Sequence, residues 1–136
     1  VMGPGDRKAN RKKNALQWMI NELKADRDVK MYDNGSHCRD IMHVDDVCRA
    51  IKLVMDAGNY NETYNIGSGK PTTVHEIMTL AKTFTRSRGE LLNMEPPQFH
   101  KNVQTQNFWL DTSKLVLLGF TQHITNEFLV KDLCIA

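Results

Sequence analysis

The chain has 136 residues, 40% apolar and 25% charged, with a formal net charge of +2. That length suits one domain that buries roughly two thirds of its unfolded surface, and so small a net charge gives no general attraction for nucleic acid. No stretch approaches the roughly 18–20 apolar residues of a membrane-spanning helix. Three scattered cysteines, Cys38, Cys48 and Cys134, are too few for a disulfide framework or a zinc site and read as free thiols of a reducing cytoplasm.

The chain opens on the turn Gly3-Pro4-Gly5-Asp6 without the element that should lead into it, so a truncated chain is expected. Ala15, Leu16, Met19, Ile20 and Leu23 follow helical spacing and predict a first helix from about Ala9 to Ala25. Arg7, Lys8, Arg11, Lys12 and Lys13 crowd its leading end, where cations oppose the helix dipole. They read either as a solvated face or as a patch that meets an anion. Val29-Lys30-Met31-Tyr32 is a short strand closed by the Asp33-Asn34-Gly35 turn. Arg39 to Val44 is extended, and Asp45 is the expected N-cap of a helix from Asp46 to about Ala57. Val47, Ala50, Ile51, Val54 and Met55 form its expected buried stripe, and Gly58-Asn59 stop it.

Thr63 to Ile66 reads as a strand that ends in the Gly67-Ser68-Gly69 turn. Thr72 or Thr73 caps the next helix; Thr73-Val74-His75-Glu76 fits a capping box, with Val74, Ile77, Met78, Ala81 and Phe84 on the helix's apolar face. Arg86 to Lys101, with Pro96 and Pro97, reads as a strand and then a loop. Phe108-Trp109-Leu110 is extended, a short helix runs from Asp111-Thr112-Ser113-Lys114 to Gly119, and a last helix begins near Thr125-Asn126-Glu127. The alternation of short strands and helices predicts an α/β fold over a single domain, residues 1–136. The strands are too few for a self-sufficient doubly wound sheet.

Arg39 stands at the end of an extended segment, where a guanidinium can hold a phosphate bidentately or pair with Asp40 or Asp45. His43, Asp45 and Asp46 are metal-ligating residue types, but their position at a helix start favours capping and packing. Gly67-Ser68-Gly69-Lys70 invites a phosphate-loop reading. That pattern needs a glycine five positions before Gly69 and a Ser or Thr after the lysine, where this chain has Tyr64 and Pro71. The turn is expected instead to let Asn65 and its strand approach a ligand or another backbone. Tyr32 reads either as a surface tyrosine or as a stacking platform.

Four separated motifs occur in one order: Met2-Gly3-Pro4-Gly5; Arg39-Asp40-Ile41-Met42-His43-Val44-Asp45-Asp46; Tyr64-Asn65-Ile66-Gly67; and Asp111-Thr112-Ser113-Lys114-Leu115 with Leu118-Gly119-Phe120. Together they resemble the substrate-binding end of the extended short-chain dehydrogenases/reductases, the NAD-dependent nucleotide-sugar epimerases and dehydratases. The resemblance implies the carboxy-terminal portion of an extended Rossmann-type fold and a nucleotide-diphosphate sugar as ligand. It implies that Arg39 contacts the diphosphate and that Asn65 lies beside the nucleotide. Tyr32 would stack on or edge against a uracil or thymine, with the Lys30 backbone hydrogen-bonding it. Asn14 and Ala15 fall where the family has an Asn-Leu pair at the diphosphate and base, with Lys12 and Lys13 able to supplement it. Relatives carry an R-P-G-D-type loop where this chain reads Gln98-Phe99-His100-Lys101-Asn102-Val103-Gln104, which leaves Lys101 or His100 to replace the arginine.

Catalysis in that family uses a Tyr-x-x-x-Lys pair and NAD held over a Gly-x-x-Gly-x-x-Gly turn. The three tyrosines here, Tyr32, Tyr60 and Tyr64, are followed four positions on by Ser36, Tyr64 and Ser68, and no such glycine turn follows a strand. The expectation is therefore a carboxy-terminal piece with no catalytic residue of its own. NAD would bind mainly in an amino-terminal half outside this chain, and the face meant for that half would promote self-association. One rival is a stand-alone, non-catalytic nucleotide-binding module. Another is a nucleic-acid binder acting through Arg7 to Lys13, which would leave Arg39 and Asn65 without a purpose.

Overall fold

The structure, a computed structural model, describes residues 1–6, 8–103 and 105–136. Arg7 of the basic run and Gln104 of the segment after Pro97 lie outside the described residues. Along the chain come α1 (Ala15–Lys24), β1 (Val29–Tyr32), β2 (Cys38–Arg39), α2 (Val44–Ala57), β3 (Thr72–Thr73) and α3 (Val74–Thr85). They are followed by β4 (Leu91–Met94), α4 (Gln98–Val103), α5 (Ser113–Leu117) and α6 (Asn126–Ile135). The result is the expected α/β alternation. β1 and β4 pair in parallel, Val29 opposite Leu91 and Tyr32 opposite Met94. β2 and β3 pair antiparallel, Arg39 opposite Thr72.

The main core forms where α1, α3 and α6 close over β1. Ile20 and Leu23, Ile77 and Met78, Leu129 and Leu133, and Val29 and Met31 meet there with at most 2% exposure. A smaller cluster of Met42, Ala50, Leu115 and Phe120 joins α2 to α5. Burying each large aliphatic side chain contributes about 1.5–3 kcal/mol, so most of the stability resides in the first cluster. α3 carries the predicted capping box: Thr73 Oγ1 accepts the Glu76 N–H at 3.1 Å, and Glu76 Oε2 accepts the Thr73 N–H at 2.8 Å. β1, the Gly119 stop (φ 99°) and the Thr125 cap of α6 also match the sequence pattern.

Four element assignments are corrected, and with them the buried face of α2. α1 begins at Ala15 rather than Ala9, because asparagine side chains outcompete helix before it. Asn10 Oδ1 accepts the N–H groups of Lys12 and Lys13, and Asn14, in the left-handed region, caps the helix through Gln17 N–H. Lys8, Arg11, Lys12 and Lys13 thus lie in turns ahead of the helix, not on its first turn. α2 begins at Val44 with His43 as its cap, Nδ1 accepting the Asp45 N–H at 3.2 Å, so Asp45 is not the N-cap. Thr63 to Ile66 joins no strand, and the segment after Pro97 is helical rather than a loop. Pro97 suits that helix start because its missing N–H would have no helical partner there, while its carbonyl accepts from Lys101 N–H.

Asp46 explains the changed face of α2. It is fully buried and accepts the N–H groups of His123 and Ile124 and the Arg49 guanidinium. With Asp46 and Ala50 inward, 3.6 residues per turn send Met55 to the opposite side. Met55 is 80% exposed and Ile51 44% exposed, whereas Val47, Leu53 and Val54 pack inward. Cys38, Cys48 and Cys134 are free thiols; burial pushes the Cys134 thiol up to about 11, against the opposing pull of Lys24. No helix among the described residues is long and apolar enough to cross a membrane.

Burial opposes ionisation of Asp46, but the Ile124 and His123 N–H groups and Arg49 outweigh it and hold its carboxyl below the ordinary carboxylate range. A lowered folded pKa means that the stabilisation is fully present above the unfolded value of about 3.9 and fades as pH falls through the lowered one. Thermal unfolding followed from about pH 5 down to about pH 2 should therefore fall more steeply for the parent than for Asp46→Asn, which should start less stable. Parallel profiles would remove Asp46 from the acid response.

Candidate functional site

Strand alternation on β1 sends Val29 and Met31 into the core and leaves Lys30 and Tyr32 on the other face. Beside that face runs α1, which contributes Ala15, Trp18 and Met19. Between them opens a cleft of about 360 Å³, walled also by Met94 at the end of β4 and His100 from α4, with Arg11 and Asp28 at its margin. A second lobe of about 190 Å³ shares Ala15, Met19 and Tyr32 with the first and adds His37 and Arg39. A third of about 220 Å³ shares His100 with the first and His37 with the second, and adds Asp33, Lys101 and Gln106. The first two meet at Tyr32, and the third adjoins them through His100 and His37, in a cleft of the size small-ligand sites take.

Its walls are aromatic and its rim is mostly cationic. The rings of Tyr32 and His100 lie 5.5 Å apart, tilted by 49°, and Phe99 meets His100 edge-on. The Arg11 guanidinium sits 5.6 Å over the Trp18 ring. His37 Nε2 lies 2.9 Å from Asp33 Oδ2. Arg39 makes neither of the ion pairs considered for it. Its Nη1 donates to the carbonyls of Cys38 (2.7 Å) and Gln106 (2.8 Å), and among the described residues no carboxylate neutralises its charge. Such a guanidinium is oriented by backbone and retains donors for an anion.

The neighbouring Asp40 points the other way and organises the glycine turn. Its carboxylate accepts from Ser68 N–H and Oγ–H (both 2.7 Å), Gly69 N–H (3.0 Å) and Leu110 N–H (3.2 Å). A Cβ on Gly67 would lie 2.7 Å from Asp40 Oδ2 and 2.9 Å from Leu110 Cδ1, so only glycine admits this approach. The turn does not fit the pyrophosphate of NAD. The N–H groups that would receive it are already bonded, and a carboxylate stands where the anion would go.

Six of the residues singled out in the sequence therefore meet in the cleft: Ala15, Lys30, Tyr32, Arg39, His100 and Lys101. Lys101 is also paired with Glu95 at 3.1 Å. Asn14 and Asn65 line none of its lobes. Asn14 caps α1 and donates to Asp6 Oδ2 at 2.9 Å, and Asn65 donates to the Asp111 carbonyl at 2.9 Å. His43 and Asp46 serve as cap and buried acceptor. Sequence reasoning missed Trp18, His37 and Asp28. Trp18 had a usable signal, since it lies three residues from Ala15 and hence on the same helix face.

Residues 1–67 match the model of the NAD dependent epimerase/dehydratase family. GDP-L-fucose synthase 1 of Arabidopsis thaliana is 29% identical over 131 residues, which cover 88% of this chain and 39% of that protein. dTDP-glucose 4,6-dehydratase of Streptomyces niveus is 34% identical over 97 residues, covering 71% of this chain and 28% of that protein. The crystal structure of UDP-glucose 4-epimerase from Thermotoga maritima with UDP-glucose superposes with a TM-score of 0.84 at 26% identity, covering 99% of this chain and 42% of that one. The chain thus spans less than half the length of each of these relatives.

Replacing Asp40 tests the arrangement that holds Arg39 in place. Asp40→Asn exchanges one acceptor oxygen for a donor that faces backbone N–H groups, and should lower unfolding free energy in urea by about 3 kcal/mol. A loss below about 0.5 kcal/mol would show that the glycine turn does not depend on the carboxylate.

Proposed function

From a chain that belongs to the NAD-dependent epimerase/dehydratase family, within the extended short-chain dehydrogenases/reductases, we propose a nucleotide-sugar binding role for the cleft around Tyr32. The observation that carries this reading is the un-neutralised Arg39 guanidinium opening into the same cleft as Trp18, Tyr32 and His100. In this reading Arg39 receives the diphosphate and Tyr32 offers its ring to the base, while the Lys30 backbone bonds the base edge. Ala15, held in place by the Asn14 cap, forms the wall opposite. Lys101 and His100 replace the arginine that relatives direct at the second phosphate. Asn65 acts indirectly, by holding the Asp111 segment.

The relatives' names support the class rather than one member of it, since they span GDP-, dTDP- and UDP-linked sugars. The chain is read as the substrate-binding portion of an epimerase or dehydratase. Bound NAD supplies hydride removal and return in that family. The glycine turn here does not fit it, so NAD and the catalytic residues are assigned to the remainder of the parent enzyme. What these residues contribute is grip on the non-reacting nucleotide, which fixes the sugar for chemistry performed elsewhere. Met55 and Leu117, 80% and 86% exposed, support the related reading that another part of the enzyme or a second copy covers α2 and α5.

Arg39→Ala in the full-length enzyme should weaken nucleotide-sugar binding by roughly tenfold to a hundredfold in isothermal titration calorimetry, the equivalent of about 1.5–3 kcal/mol. The midpoint of thermal unfolding should stay within a few degrees of the parent. An affinity within about twofold of the parent would take the diphosphate role away from Arg39.

A further inference from the structure

Asp28 is the acidic group in the first lobe, and nucleotide binding as described leaves it unused. It precedes β1, is exposed, and lines the first lobe with Arg11, Trp18, Lys30 and Tyr32. Asp28 Oδ1 accepts the Glu90 N–H at 2.8 Å, which anchors the carboxylate. Oδ2 has no hydrogen-bond partner, and the carboxylate no ion pair, among the described residues. Arg39 borders the second lobe, and Tyr32 lines both. With the diphosphate at Arg39 and the base against Tyr32, Asp28 falls at the edge of the base.

The chemistry of the bases then discriminates. Guanine presents two adjacent donors, N1–H and the exocyclic N2–H₂, which match the two oxygens of a carboxylate. Uracil and thymine present one N3–H between two carbonyl oxygens, which a carboxylate repels. Adenine and cytosine set an amine beside a ring nitrogen acceptor, so one oxygen would face a lone pair. The Arg11 guanidinium in the same lobe adds donors for O6 and N7 of guanine, the edge that arginine reads best. Resting on the nucleotide-sugar reading of this cleft, we infer that the first lobe selects guanine. Asp28 accepts from N1–H and N2–H₂, and the substrate class is GDP-linked sugars.

The test is titration of the chain with GDP, IDP, UDP, dTDP and ADP by calorimetry. GDP should bind at least about tenfold more tightly than UDP, dTDP or ADP, with IDP, which lacks only the exocyclic amine, in between. Asp28→Asn keeps an acceptor for Glu90 N–H but turns the second oxygen into a donor. It should lose about tenfold in GDP affinity while UDP stays within about twofold. Equal binding of all five nucleotides by the parent would overturn the guanine assignment and leave the nucleotide reading standing; that ranking needs no variant. So would an Asp28→Asn variant that weakens UDP as much as GDP. No saturable binding of any nucleotide would overturn the nucleotide reading, and this inference with it.

Discussion

The carboxylate of Asp40 accepts from Ser68, Gly69 and Leu110 and thereby draws three distant stretches of chain to one point. Side chains alternate along an extended backbone, so fixing Asp40 on one side fixes Arg39 on the other. The same short segment is bonded along both edges. Val74 N–H donates to the His37 carbonyl at 3.0 Å, and Phe108 N–H donates to the Cys38 carbonyl at 3.1 Å. Asn107 Oδ1 accepts the Cys38 N–H at 3.0 Å, and the Gln106 carbonyl accepts from Arg39. Backbone hydrogen bonds thus place a cation that no carboxylate among the described residues neutralises. An ion pair would have placed it equally well but would have discharged it.

A second tie extends this order to the rest of the chain. His43 is buried, caps α2 through Nδ1, and directs Nε2 at Asp132 of α6 at 3.3 Å. Met2 bridges beside it, bonding the Met42 carbonyl and the Val44 N–H at 3.0 and 2.8 Å. Asp46, one turn further into α2, holds the 123–124 backbone that leads into α6. The run from Arg39 to Asp46 therefore sends its side chains to different tasks: a guanidinium held by backbone carbonyls, a loop anchor, two core positions, a helix cap and a buried acceptor. Its spelling is dense because six of its eight positions have separate tasks.

What the sequence made legible follows the range of the interactions. α3 was readable to within one residue of its start because the capping box and the apolar stripe are both local. α1 was placed too early, since apolar spacing does not reveal that Asn10 and Asn14 bond the backbone ahead of it. The exposed face of α2 was misjudged because Asp46 finds its donors some 77 residues away, and that pairing rotates the helix. The segment Thr63 to Ile66 has strand composition, but a strand exists only where another pairs with it, and none does among the described residues. Of the residues that motif resemblance points to, Arg39, Tyr32, Lys30, Ala15, His100 and Lys101 line the cleft. Asn65 lines none of its lobes, and a motif names a residue without showing that its amide holds the Asp111 carbonyl. Trp18 and Asp28 join the cleft through the packing of α1 against β1, and His37 through the turn after β1, none of which the motifs encode.

Charge sign along the cleft also bears on how a ligand would lie in it. Arg39 borders one lobe, Asp28 borders another beside Arg11 and Lys30, and Tyr32 lines both. Under the proposed reading, a nucleotide diphosphate entered in reverse would exchange Arg39, which no carboxylate neutralises among the described residues, for cations that share their lobe with the Asp28 carboxylate. Charges a few ångströms apart interact by on the order of 1 kcal/mol in water and more beside protein of lower dielectric, so Asp28 tilts the orientation without fixing it alone. In that reading orientation matters as much as affinity, because the sugar must emerge from one end only for chemistry elsewhere to reach it.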